Sequence, residues 1–424
     1  MMSAIPSINA DRLWKRIQTL SLLTLPDQPW TRRAFSPQFV KSRAWLKAEF
    51  KAAGLEVRVD AAGNLIGRRA GKRKGLAPLV TGSHCDTVVG GGRFDGIAGV
   101  LAGLEVAQAL HEADVHLDHP LEVIDFLSEE PSDFGASCVG SRGMCGLLAP
   151  AMLSSTNASG ETLSSAIASA GGEPTRLRAP LRKFGDMAAF VELHIEQGPV
   201  LERMQLPIGV VTNIVGIRRS AIRVTGQPDH AGTTPMHIRK DALVGAAHII
   251  TEVFRRASAA ARGDSYVVAT VGKVGVHPNM SNAVPGCVEL TLEVRSDQLA
   301  VLQEFPEQVM AAAREELELL QLCAEMHTVS QSTPTDCSEL VMDAASRAAT
   351  DLGYSYTRMP SGAGHDAAYM SHLGPMGMIF IPCFNGRSHC AEEWIEPGQL
   401  TDGTRVLCQT LRLLDTRLAE NHST

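Results

Sequence analysis

Four short apolar runs restrict what this chain can fold into: "APLVTGS" from Ala77, "LEVIDFLS" from Leu121, "AAFVELH" from Ala188 and "MGMIFIPC" from Met376. Each has the length and apolar density of a strand buried on both faces. Between the first two lies "GIAGVLAGLEVAQALHEA", which runs at helical period. Strand–helix–strand alternation of this kind predicts an α/β fold with a mainly parallel central sheet flanked by helices. Upstream, Ser36 and Pro37 read as a helix N-cap followed by proline at the first helical position, and that helix stops at Gly54. "LEVRVDAAGNLIGRR" reads as a hairpin turning at Ala62 to Asn64.

A second block starts near "IVGIRRSAIRVTGQPDHAG" and alternates strands with two long helical segments, "KDALVGAAHIITEVFRRASAA" and "LQEFPEQVMAAAREELELLQ". Two helices against about four strands make a small α+β unit. The chain then returns to the first pattern, so the expectation is a discontinuous domain, 1–214 and 331–424, with a second domain inserted at 215–330. A length of 424 residues fits two cores better than one.

Composition narrows the function classes. A net charge of −7 argues against a nucleic-acid or anionic-membrane surface, which needs a basic excess. No apolar stretch has spanning length, and "MMSAIPSINADRLWKRIQTL" lacks the apolar core of a signal peptide. The nine cysteines include no C-x-x-C pair, so reduced thiols and a cytoplasmic location are expected. The glycines at 90–92 lack the Gly-Lys-Ser/Thr of a phosphate-binding loop, and no G-x-S-x-G elbow occurs.

The apolar runs also deliver chemistry to one edge. His84 follows the first, Glu129 and Glu130 the second, His194 ends the third, and His389 lies a short loop beyond the fourth. Open α/β sheets bind ligands outside the carboxyl ends of their strands. The stretch "SHCDTVVGGGRFDG" adds Asp86 and Asp95 around three glycines that let the loop fold back over that edge. Imidazole and carboxylate donors suit Zn²⁺, and also Mn²⁺ or Co²⁺. Because a carboxylate can bridge two ions, His84, Asp95 and His194 are assigned to one and Asp95, Glu130 and His389 to the other. Two ions about 4 Å apart clamp a water and lower its pKa toward neutrality. Glu129, beside a ligand without being needed as one, is the candidate general base. Asp86, two residues from His84, is placed to accept the other ring N–H.

The set "GSHCDT", "GGRFDG", "SEEPSDFG", "HIEQGP", "GQPDHAGTTPM", "SNAVPG", "EVRSD", "SGAGHDA" and "NGRSH" spans nearly the whole chain. In that order it resembles the hydantoinase/carbamoylase branch of the M20-type dinuclear metallohydrolases. That branch includes N-carbamoyl-L-amino-acid hydrolases, allantoate amidohydrolase and β-ureidopropionase. The resemblance implies that 1–214 and 331–424 form a catalytic domain holding two divalent ions. It also implies that 215–330 is a lid and dimerisation domain, and that the protein is a homodimer. Gln197, His230, Asn282 and Arg295 match the substrate-binding positions. Arg295 has the chemistry to grip a carboxylate through two parallel hydrogen bonds, and His230 to donate to a developing oxyanion, in relatives sometimes across the dimer. The loop at Gly362 is implied to line the pocket, with His365 and Asp366 in support.

His194 stands where the related peptidases and deacylases place a Glu, as in the carbamoyl-amide hydrolases. The resemblance therefore implies hydrolysis of the terminal carbamoyl amide of an N-carbamoyl amino acid or a ureido acid such as allantoate, releasing ammonia and carbon dioxide. Rival readings are a peptidase or N-acyl-amino-acid deacylase of the same superfamily, and a non-catalytic scaffold that binds metal or amino acids. An intact Glu129 beside a full ligand set weighs against the scaffold. "PSDFGASC", Arg387 and Ile217 depart from the branch's usual pattern; none removes a proposed ligand, and all three bear on the substrate.

Overall fold

In the computed structural model, which describes residues 5–263 and 265–421, the four apolar runs form strands buried at every position. In chain order the strands are β1 (Glu56–Val59), β2 (Leu65–Arg69), β3 (Leu79–His84), β4 (Leu121–Phe126), β5 (Ala189–Ile195), β6 (Ile208–Ile214), β7 (Gly216–Thr225), β8 (Asp229–His230), β9 (Val267–His277), β10 (Ala283–Val284), β11 (Cys287–Ser296), β12 (Cys323–Gln331), β13 (Thr335–Asp336), β14 (Tyr356–Ser361) and β15 (Met376–Ile381). The chain divides into two units. One takes the described residues through Thr212, then Cys337–Met359 and the chain from His365 onward; the other takes Asn213–Asp336 and Pro360–Gly364.

The first unit is built on a sheet ordered β1-β2-β4-β3-β5-β15-β6. Its centre, β4-β3-β5-β15, is parallel, which puts the carboxyl ends of these four strands on one edge. The flanks are antiparallel, because β1 and β2 form the expected hairpin and β2 then joins β4. The sheet is thus mixed, with its parallel part where the sequence patterning requires it. Ser36 caps the helix Pro37–Ala52 by accepting from the N–H of Phe39. Helix Ile97–Glu112 is apolar nearly all round. It is buried because it packs on β3, β4 and β5 while helices Ala10–Ser21 and Pro397–Asn421 cover it. The sequence reading assigned no element to either of these covering helices.

Glu105 ties this arrangement together. Its fully buried carboxylate accepts from Arg12 Nε and Nη2, both at 2.7 Å, from Arg16 Nη1 at 3.3 Å and from the N–H of Asn9 at 2.9 Å. Removing one partner of a buried ionic cluster strands the others, at a cost of about 3–5 kcal/mol. Glu105→Ala is therefore expected to lower the urea midpoint by that equivalent. A loss under about 1 kcal/mol would mean that the arginines find solvent instead.

The second unit has an antiparallel sheet ordered β12-β7-β11-β9. Helices Ala242–Ala260 and Leu299–Leu319 share its core with Ile222, Val224, Val288, Leu290, Leu292 and Val294. Along β11 the period of two sends those four apolar residues toward the helices and leaves Glu293 and Arg295 on the other face. Among the described residues no helix is long and apolar enough to cross a membrane.

Candidate metal centre

The parallel strands bring their carboxyl-end residues together as the patterning requires. His84 closes β3, His194 is the penultimate residue of β5, Glu129 and Glu130 follow β4, and His389 follows β15. Asp95 lies at the centre. Its Oδ1 is 3.1 Å from His194 Nε2 and 3.6 Å from His84 Nε2, and its Oδ2 is 2.9 Å from His389 Nε2. Glu130 Oε1 is 3.1 Å from the same His389 nitrogen. Two groups of donors, His84–Asp95–His194 and Asp95–Glu130–His389, each bring their ligand atoms within 4.8 Å of one another. Asp95 belongs to both.

Local backbone explains how the donors converge. Gly96 follows Asp95 at φ +67°, and a Cβ there would lie 2.4–2.5 Å from the His84 ring. Only glycine allows both the turn and the ring. Ser128, Cys138, Gln197 and His389 also hold left-handed conformations. Each costs about 1–3 kcal/mol, a kind of strain that gathers at functional sites.

The hydrogen bonds of the two buried imidazoles test whether metal suits the site. His84 Nδ1 lies 3.0 Å from the carbonyl oxygen of Asp86, and His194 Nδ1 lies 2.8 Å from that of Ile195. A carbonyl only accepts, so each Nδ1 carries the proton. Each Nε2 is then an unprotonated acceptor facing another acceptor, Asp95, and that of His194 also accepts from the Gly96 N–H at 3.2 Å. That opposition is relieved by a second proton on each ring or by a divalent cation, and the tautomer is the one metal-ligating histidines need. The residues therefore fit divalent ions.

With protein groups alone, the charges strain against one another. Burial by itself would lower His84, but Asp86, Asp95 and Glu130 outweigh it and raise it to about 9. Hydrogen bonds to Asp95 and Glu130 raise His389 to about 11. Burial would raise Asp95, yet His194 and His389 bring it well below the usual carboxyl range. Glu129 goes the other way: burial, then Glu130 and Asp366, push it well above that range. A bound cation reverses this logic by favouring every ionised carboxylate near it.

The expected role of Asp86 needs correction. Its backbone carbonyl, not its carboxylate, meets His84 Nδ1; Oδ1 is 3.7 Å away. The carboxylate instead accepts from the N–H groups of Glu129 and Glu130, at 3.3 and 3.1 Å, and so fixes the backbone of both. Gln197, expected to meet substrate, donates from Nε2 to Asp95 Oδ2 at 2.8 Å and sits among the metal donors.

The remaining expected substrate residues lie in the second unit. His230 on β8 is exposed and pairs with Ala283 on β10, so that Asn282 is beside it. Arg295 is half-buried; it donates from Nε and Nη2 to Glu293, at 2.8 and 2.7 Å, and from Nη1 to the carbonyl of Gly362 at 2.8 Å. His365 and Asp366 belong to the first unit and are buried, with the His365 ring 4.6 Å from that of His194. Sequence reasoning missed Glu192, whose Oε1 accepts from Ser83 at 2.6 Å and which forms a further donor group with His194 and His365. Its place on β5, two residues before His194, was the available signal.

Residues 80–413 match peptidase family M20/M25/M40. The chain is 39% identical to an N-carbamoyl-L-amino-acid amidohydrolase of Paenarthrobacter aurescens, over 96% of this chain and 98% of that protein. It is 36% identical to a ureidoglycolate hydrolase of Arabidopsis thaliana, over 96% and 87%. Among solved structures it resembles an amidase of the hydantoinase/carbamoylase family from Burkholderia multivorans. The TM-score is 0.88 and the identity 34%, covering 96% of this chain and 98% of that one.

Proposed function

The chain belongs to peptidase family M20/M25/M40, in its hydantoinase/carbamoylase branch, and we propose that it hydrolyses the terminal carbamoyl amide of a ureido acid. It is a metal-dependent hydrolase by its family and by its donor groups. The observation that carries the finer reading is His194. It contributes a neutral imidazole beside Asp95 at a position where the branch's peptidase relatives are expected to hold a carboxylate. The relatives' activities, an N-carbamoyl-L-amino-acid amidohydrolase and a ureidoglycolate hydrolase, support the same class.

In this reading His84, Asp95 and His194 would hold one divalent ion, and Asp95, Glu130 and His389 would hold a second. Bound there, the ions supply electrophilic activation of the carbamoyl group and of water. Glu129 takes a proton from the attacking water and delivers it to the departing nitrogen. His230 donates to the carbamoyl oxygen as negative charge develops on it. Arg295 holds the substrate carboxylate, in competition with Glu293. The products are ammonia, carbon dioxide and the freed amino compound. The dimer contact we assign to the second unit, to be checked by sedimentation equilibrium; a monomer at micromolar concentration would exclude it.

The reaction class is tested by ammonia release from N-carbamoyl-L-amino acids, N-carbamoyl-β-alanine and allantoate by protein loaded with Zn²⁺, Mn²⁺ or Co²⁺. Dipeptides and N-acetyl-amino acids serve as controls. Ammonia from a ureido compound, lost on chelation, is the expected result; cleavage of the controls alone would overturn it. For the substrate found, Arg295→Ala is expected to lower kcat/KM by about 30- to 150-fold, the equivalent of about 2–3 kcal/mol of charge-assisted hydrogen bonding. Most of that should fall on KM. Arg295→Lys recovers little, because a point charge cannot replace the planar fork. An unchanged KM in Arg295→Ala would place the carboxylate elsewhere.

A further inference from the structure

Glu393 lies outside both donor groups, yet it is fully buried beside them. Its Oε1 accepts from the backbone N–H groups of Phe94, at 2.7 Å, and Asp95, at 3.1 Å. Its Oε2 is 2.7 Å from Ser388 Oγ, and that hydroxyl is 3.1 Å from Asp95 Oδ2. One carboxylate thus touches two of the three segments that carry the ligands of a single ion, the loop with Asp95 and the loop with Ser388 and His389. Gly92 makes the room: a Cβ there would come within 1.8–2.0 Å of the Glu393 carboxyl atoms. The neighbouring residues grip the same loop from its other side. The Arg93 guanidinium lies over the rings of Trp30 and Trp394, at 4.6 and 4.5 Å from their centroids, and Trp30 Nε1 donates to the carbonyl of Ala391 at 3.1 Å.

We infer that Glu393 is a positioning residue for the metal pair, seated in the space left by Gly92, which sets the Asp95 carboxylate against His389. The inference deepens the reading of Asp95 and His389 as metal ligands and rests on it. Two backbone N–H groups oriented by a buried carboxylate fix the peptide plane next to Asp95. The Ser388 hydroxyl, shared between the two carboxylates, limits how far the Asp95 side chain can rotate. Outer partners of metal ligands typically contribute 10–100-fold to metal affinity.

The test is Co²⁺ binding by the full chain, read by competition with a chelator and by the visible absorption of the bound ion, with circular dichroism as the check on folding. Glu393→Ala is expected to weaken Co²⁺ binding by about 10- to 100-fold and to change the absorption spectrum. Glu393→Gln should recover most of the affinity, because its amide oxygen still accepts from Phe94 and Asp95. Gly92→Ala should reproduce the alanine variant with Glu393 intact, and it carries the decision if Glu393→Ala does not fold. Folded Glu393→Ala or Gly92→Ala protein with wild-type affinity and spectrum overturns the inference alone. A wild-type chain that binds no Co²⁺ overturns the metal reading, and the inference with it.

Discussion

Glu129→Gln is expected to lower kcat by about 10²- to 10⁴-fold, the usual contribution of a positioned acid–base group, while leaving the metal content unchanged. The amide keeps the shape of the side chain but cannot take a proton. The wild-type carboxyl stands outside both donor groups, 3.7 Å from His84 Nε2, and its Oε1 faces the Cys138 thiol at 3.5 Å. With protein groups alone, burial, then Glu130 and Asp366, hold its proton affinity above that of an ordinary carboxylate. Elemental analysis beside steady-state kinetics separates the outcomes. A rate within a few-fold of wild type would remove Glu129 from the role of base. A rate loss accompanied by metal loss would make it a ligand instead.

Chelation is expected to abolish activity reversibly and to destabilise the fold more at pH 8 than at pH 5. An ion at a thousand times its Kd stabilises the folded chain by about 4 kcal/mol, and removal leaves the buried carboxylates to repel one another. Burial raises Asp86 to about 6 and Glu393 to about 7. Carboxyls raised in the folded state contribute stability that is complete at low pH and is lost as the pH rises through those values. His84, raised from 6.5 to about 9, loses its contribution in the same direction at higher pH. Asp95, held below the ordinary range, acts oppositely, but only in acid. Urea denaturation with and without chelator at both pH values measures the difference. Equal stability of the metal-free chain at pH 5 and pH 8 would show that these groups are hydrated and uncoupled.

Much of the site was legible because the signals are local. An apolar run of six or seven residues announces a buried strand, and parallel pairing of β4, β3, β5 and β15 then places every carboxyl end on one edge. His84, Glu130, His194 and His389 follow from that, and the glycines around Asp95 from the need to turn back over the edge. Helices Ala10–Ser21 and Pro397–Asn421 were missed, although Asn9 caps the first and Leu13, Ile17 and Leu20 recur on its buried face. Their burial depends on covering Ile97–Glu112, a partner that no periodicity within either segment names.

Local sequence by itself determined the four buried parallel strands, the helix cap at Ser36 and the strand-edge residues, since propensity and burial period act over a few neighbours. The tertiary structure alone decided which atom each residue uses. It turned the Asp86 carbonyl rather than its carboxylate to His84, drew Gln197 to Asp95, and gave Pro360–Gly364 to the second unit. It also separated Glu393, buried and bonded to Phe94 and Asp95, from its exposed neighbour Glu392. A hydrogen bond spanning about three hundred residues depends on where two loops meet in space, and residue type records only that a donor or an acceptor is available.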